Sequence, residues 1–379
     1  MIDFLFVSNG YGEDAIAASI ASRLSKDCKV AAFPLVGEGS SYARHGIPIL
    51  RSFAPLPSAG VSISEDAQNG LFPLLIKQWK ALKSVRNEVT AAVAVGDIVP
   101  CFLSRYALKR PFHFVGTAKS VMIQAYNVLE QMLIRKAETS FVRDQETAQF
   151  LNRRKVPSLW VGNPMMDEVE EVFIHFPDSP GRTIAVLPGS RADAPENFLL
   201  QVEALTAIAQ SQAVPLRAFV GLPTTLSPND FFNKLKNWDG AISEKPQKGL
   251  IGQAVQGNLL LLFTQDCLGD ILRASSIVLG QAGTANEQAA GMGKPIVAFD
   301  FDGYRDGNLS WYRWRQKKLL EEALLVTIPR PDFLAQMVIE ILNNRKLYDA
   351  MSDEGKKRMG SSGACQKIAD TLREWKPRI

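Results

Sequence analysis

Three glycine-bearing runs, each placed where an apolar β-type stretch gives way to a helical one, concentrate the residues suited to holding an anion. The longest is Gly280-Gln281-Ala282-Gly283-Thr284-Ala285-Asn286-Glu287-Gln288. Its amides from Gly283 to Asn286 would open a helix and face a pyrophosphate at the positive end. Glu287, one turn further in, would be repelled by phosphate, so a ribose diol donating to its carboxylate is the fitting partner. The second run, Leu187-Pro188-Gly189-Ser190-Arg191, joins a flexible glycine to a hydroxyl and to a guanidinium whose planar fork suits two-point phosphate contact. In the first, Ser8-Asn9-Gly10-Tyr11-Gly12-Glu13-Asp14, the small residues let backbone approach a ligand. The same residues also suit a plain strand-to-helix turn with Asp14 as its cap. The ligand-side set is therefore Gly10, Gly12, Gly189, Ser190, Arg191, Gln281, Gly283, Thr284, Ala285, Asn286, Glu287 and Gln288.

Elements that would carry these turns are legible as short β-branched runs separated by helical periodicity. Strands are predicted over Ile2 to Val7, Val30 to Phe33, Ala91 to Val95, Phe112 to Val115 and Ser140 to Val142. A second series follows at Thr183 to Leu187, Leu216 to Val220, Leu259 to Leu262, Ile277 to Leu279 and Ile296 to Phe299. Apolar residues at helical spacing between them make each series βαβ, hence a parallel doubly wound sheet whose ligands sit at the carboxyl ends of the strands. Pro164, Pro177 and Pro180 interrupt the pattern. The expected division is thus a Rossmann-like domain over 1–165, a connector over 166–181, a second such domain over 182–345, and helices over 346–379 that cross back to the first.

Bulk properties narrow the class. A chain of 379 residues, 46% apolar and 22% charged, suits two globular domains. Cys28, Cys101, Cys267 and Cys365 have no paired spacing, which fits a reducing compartment and argues against both disulfides and a zinc site. His45, His113 and His175 read as structural, so no metal is expected. No basic start precedes a long apolar run and no apolar stretch approaches membrane-spanning length, so a cytoplasmic protein is expected. A net charge of +4 is too small to suggest nucleic acid, and none is expected as a partner. The run from Leu71 to Lys83 mixes apolar bulk, lysines and Trp79, which equally suits a helix lying on a membrane surface and a half-buried helix with a solvated face. Trp311 to Lys318 interleaves aromatic and basic residues and is expected to pack between domains or meet a lipid phosphate.

Leu187-Pro188-Gly189-Ser190-Arg191, Gly283-Thr284-Ala285-Asn286-Glu287 and Gly293-Lys294-Pro295 together resemble the lipid-A-disaccharide synthase-related family of the GT-B glycosyltransferases. Val161-Gly162-Asn163-Pro164-Met165-Met166-Asp167 is similar to that family's connector, with Asn163 where the family has histidine. The resemblance implies two Rossmann-like domains facing across a cleft, a UDP-sugar donor of the UDP-N-acetylglucosamine type, inversion at the anomeric carbon, and no metal or separate cofactor. It places Glu287 on the uridine ribose, Ser190, Arg191, Gly283 and Thr284 on the diphosphate, and Phe263 and Thr264 beside the uracil. Departures fall on the acceptor side, at Gly10 to Asp14 and Gly96 to Pro100, which leaves open an acceptor expected to be lipid-linked at the inner face of the membrane. Homo-oligomers are compatible with this reading.

Such a transfer needs a carboxylate to deprotonate the acceptor and cations to stabilise the departing diphosphate. Asp97, directly after an apolar strand, is the first candidate base, with Glu13 and Asp14 next and helix capping as the bland alternative for Asp97. Arg191 is expected to offset charge on the β-phosphate. A sugar-nucleotide epimerase and a non-catalytic nucleotide-sugar-binding protein remain alternatives.

Overall fold

The structure is a computed structural model that describes residues 1–53, 71–169, 174, 176, 182–211, 214–247, 249–301 and 309–377, with backbone alone at 71–72 and 244–247. Most of the connector expected over 166–181 lies outside the described residues, as do residues 302–308. The chain forms two compact units, Met1–Glu168 with Ser361–Ile379, and Val169–Gly360.

In the first unit, β1 (Ile2–Ser8), β2 (Val30–Pro34), β3 (Val89–Gly96), β4 (Phe112–Gly116) and β5 (Ser140–Val142) form a parallel sheet of order β2-β1-β3-β4-β5. Both faces are covered, which is why Phe4 to Val7 of β1 and Ala91 to Val95 of β3 are continuous apolar runs rather than alternating. On one face Ile16, Ala17 and Ile20 from the helix Tyr11–Leu24 pack with Ile368 and Leu372 from the last helix, Ala364–Glu374. Register aligns Ser8 with Val95, Gly96 with Gly116, and Gly116 with Val142. Asn9, Asp97, Thr117 and Arg143 therefore emerge along one edge, on either side of the β1/β3 switch point.

The second unit adds β6 (Thr183–Leu187), β7 (Leu216–Gly221), β8 (Asp239–Gln247), β9 (Leu250–Gln256), β10 (Leu259–Thr264), β11 (Ile277–Gly280), β12 (Ile296–Phe299) and β13 (Leu324–Thr327). Their order is β13-β12-β11-β6-β7-β10-β9-β8, parallel except where β9 pairs antiparallel with β10 and β8. Chain order reverses at β6, which lies between β7 and β11; the turns after β6 and β11 are thereby neighbours.

Two expectations change here. The terminal helices do not travel together: Arg345–Met359 belongs to the second unit, where Gly355 packs so closely on Ala290 that a Cβ would stand 2.4 Å from its carbonyl oxygen. Only Ala364–Glu374 joins the first unit. There the connector motif acts as a clasp, because the Asp167 carboxylate accepts from the amides of Gly363 (2.9 Å) and Cys365 (3.1 Å) at the start of that helix. Gly293-Lys294-Pro295 is likewise structural, with Lys294 Nζ donating to the Ser275 carbonyl at 2.8 Å.

Candidate functional site

At the β6/β11 switch point the second unit encloses a cavity of about 230 Å³ lined by both glycine turns, by Asp193 and Asn197, and by Phe299 to Phe301, Ser310, Tyr312 and Arg313. Gly189 adopts φ +104°, a conformation that favours glycine, and turns the chain from β6 toward the helix Ala194–Gln210. The buried Asn197 side chain donates to the Pro188 carbonyl at 3.2 Å, and the Gln281 amide donates to the Leu187 carbonyl at 2.7 Å, so the two turns are tied together. Across them lies the helix Trp311–Leu320, capped by Ser310. Its Tyr312 hydroxyl closes on Gly283, where a Cβ would come within 2.8 Å, and the Arg191 guanidinium stands 4.6 Å over the Tyr312 ring.

Gly189, Ser190, Arg191, Gln281 and Gly283 thus share one cavity. Thr284 is exposed at the start of the helix Thr284–Gly291, with Ala285 half-buried behind it. Glu287 is half-buried close enough to Tyr312 for its charge to raise that phenol's pKa, although burial of Tyr312 is the larger cause. Asn286 and Gln288 are buried, not presented to a ligand; the Asn286 amide donates to the Gly280 carbonyl at 3.0 Å and braces the turn from within. Phe263 and Thr264, expected beside a nucleobase, are also corrected. Phe263 packs in the core against Phe198 at 5.8 Å, and Thr264 donates to the Val220 carbonyl at 3.1 Å, because β10 is a central strand and both side chains are buried. Gly10 and Gly12 belong to the first unit, at the start of the helix Tyr11–Leu24.

Sequence reasoning missed Tyr312, Arg313 and Asp300. Tyr312 and Arg313 lie in the aromatic-basic run from Trp311, whose assignment to a domain interface or lipid phosphate overlooked the inward face of the helix, whereas Asp300 gave no signal beyond its place after the strand ending at Phe299.

At the switch point of the first unit, Glu13 and Asp97 are half-buried, and the Asp97 charge acts on Glu13. Burial raises the Glu13 pKa, Asp97 raises it further, and Arg143 and the nearby Thr117 oppose the rise. Burial likewise raises Asp97, against hydrogen bonds from Val99 and Asn9, with Glu130 adding and Lys119 subtracting. One Asp97 oxygen accepts the Val99 amide at 2.7 Å, capping the helix Ile98–Leu103. Glu130, which the sequence did not single out, pairs with Lys119 at 2.8 Å. Asp14 is corrected: helical rotation carries it away from Glu13 into the interior, where it accepts the Ser8 hydroxyl at 2.6 Å. Among the described residues, no group of three or more His, Cys, Asp or Glu side chains is placed to hold a metal ion.

No family model and no curated protein matches the chain. Solved structures do match over nearly its whole length. MnaA of S. aureus, solved with UDP, has a TM-score of 0.63 at 13% identity, covering 98% of this chain and 96% of its own. UDP-GlcNAc 2-epimerase from Neisseria meningitidis, bound to UDP-GlcNAc, has a TM-score of 0.62 at 14% identity, covering 98% and 100%. MurG of Acinetobacter baumannii has a TM-score of 0.59 at 15% identity, covering 99% and 100%. The fold is GT-B: two Rossmann-like α/β domains with a helical C-terminal segment.

Proposed function

We propose that the chain is an inverting, metal-independent glycosyltransferase of the lipid-A-disaccharide synthase-like kind, taking a UDP-sugar of the UDP-N-acetylglucosamine type as donor and needing no other cofactor. The observation that carries this reading is the cavity at the β6/β11 switch point, where two glycine turns meet Arg191 and Arg313. Free amides and guanidinium groups are the donors a departing diphosphate requires. Glu287 is the candidate partner of the ribose. The MnaA and Neisseria structures, solved with UDP and UDP-GlcNAc, support the same donor class.

For the base the preference passes to Glu13. Burial holds both carboxyls above their usual range, which suits either to taking a proton near neutrality, so hydrogen bonding decides between them. Asp97 has an oxygen committed to its helix and serves better to keep the Glu13 pKa raised and to orient the acceptor.

A lipid-linked acceptor at the inner membrane face is supported by the outer surface of the first unit. Ile76, Phe102 and Tyr106 are 56%, 46% and 46% exposed. The rings of Trp79, Phe102 and Tyr106 follow one another at 5.9 and 5.1 Å, with Lys77, Lys80, Lys83 and Arg105 exposed around them. No helix among the described residues is long and apolar enough to cross a membrane.

Epimerisation is the second reading, favoured by the electrostatic proximity of Asp97 to both Glu13 and Glu130, since that reaction needs acid and base groups around the sugar. Incubation with UDP-GlcNAc and a membrane lipid extract separates the two. UDP release with sugar appearing in the lipid fraction is expected; an epimerised nucleotide sugar without any glycoside would overturn the transferase reading.

A further inference from the structure

Arg313 is the most deeply placed cation of the cavity. It is 4% exposed, and it forms no ion pair among the described residues. One terminal nitrogen donates to the Gln316 side-chain oxygen, the other to that of Gln281, and Nε is buried without a partner. Asp300 shares the lining and its charge acts on Arg313, but it makes no ion pair with it, and its Oδ2 accepts the Ser310 amide at 2.6 Å. A guanidinium removed from water costs several kcal/mol unless it is closely paired, so one kept beside a cavity with no ion pair of its own suits an anionic ligand.

The support of Arg313 is as specific as its burial. Gln281 is fixed at its other end, its Nε2 donating to the Phe299 carbonyl at 3.1 Å, while Gln316 Nε2 donates to the Ala282 carbonyl at 2.9 Å. The guanidinium and the glycine turn before the helix Thr284–Gly291 thus belong to one hydrogen-bond network, and both glutamines present oxygen to the cation. Arg191 differs, being exposed and, among the described residues, held by the Tyr312 ring face.

We infer that Arg313, oriented by Gln281 and Gln316, is the principal diphosphate-binding cation of the site, and that it is what makes the cavity prefer a nucleoside diphosphate to the bare nucleoside. Arg191 covers the ligand from the solvent side. The inference rests on the nucleotide-sugar reading. It requires arginine, because a lysine ammonium is a point charge that spans neither both glutamines nor two phosphate oxygens.

The test is calorimetric titration of the full-length protein with UDP and with uridine. Wild type is expected to bind UDP at least tenfold more tightly than uridine. Arg313→Gln and Arg313→Lys are each expected to reduce that ratio several-fold or more while leaving the uridine constant within about twofold, and Arg191→Ala is expected to reduce it less. A merely structural arginine would weaken both ligands together, and that outcome overturns the inference. So does an unchanged ratio in either Arg313 variant, so the lysine variant decides if the glutamine variant fails to fold. A wild type that binds UDP no better than uridine removes the nucleotide-sugar reading itself, and the role of Arg313 with it.

Discussion

Replacing Asp14 by asparagine should stabilise the first unit, by an amount that grows with pH. Asp14 is 2% exposed; one carboxyl oxygen accepts from Ser8 and the other is buried without a partner. Burial raises its pKa from 3.8 to about 7, with the Glu13 charge adding and the Ser8 hydroxyl opposing. Between those values the folded protein holds a proton that the unfolded chain has released, so stability falls as pH rises through that window. Below pH 4 both states are protonated and the penalty vanishes; above pH 7 it is complete. A separation of some three pK units corresponds to about 4 kcal/mol. Asparagine keeps an oxygen for Ser8 and has no charge to desolvate. Calorimetry of both proteins at pH 4 and pH 8 should therefore show near-equal melting at the lower pH and an advantage of about 8–16 °C for Asp14→Asn at the higher, at about 2–4 °C per kcal/mol. A difference independent of pH would mean that Asp14 is already ionised in the folded protein at pH 5, and would refute the burial argument.

His113 gives the opposite slope. It is fully buried beside Phe4 and Trp375 with neither ring nitrogen partnered, and burial lowers its pKa to about 4, so the stability it contributes is complete above pH 6.5 and declines toward pH 4. His113→Phe should retain about 3 kcal/mol that wild type loses on acidification, read by urea unfolding at pH 4 and pH 7. Glu287→Ala should abolish the thermal shift produced by UDP without lowering the melting temperature of the free protein; an unchanged shift removes Glu287 from the ribose. Glu13→Gln should lower turnover by roughly 10²–10⁴-fold while sparing UDP affinity, and the acid limb of the wild-type rate profile should lie above the ordinary glutamate value. Phe102→Ser with Tyr106→Ser should release the protein from vesicles containing anionic lipid in a sedimentation assay, and equal retention would remove that surface from membrane contact.

Several strands follow directly from local pattern. Thr183–Leu187 and Ile296–Phe299 are unbroken apolar or β-branched runs next to glycine or proline, and each is a strand over those residues. The hairpin of β8 and β9 escaped because Asp239–Gln247 is polar and contains Pro246, as an edge strand tolerates and a central one does not. β13 is four residues long behind a pair of glutamates, too brief for its period to register. Phe263 and Thr264 were misplaced for a related reason: position at a strand end says nothing about whether neighbouring elements cover it.

What the sequence determined by itself is the βαβ alternation and the placing of glycine turns after strands, since apolar period and turn chemistry act over a few residues. Which turns become neighbours was decided only by the tertiary structure. Seating β11 beside β6 brings Gln281 to Leu187, and the rotation of the helix Trp311–Leu320 aims Tyr312 and Arg313 inward while Trp311 faces water. Strand order and helix rotation are settled by which faces find apolar partners far away in the chain, and no local pattern of residues records that outcome.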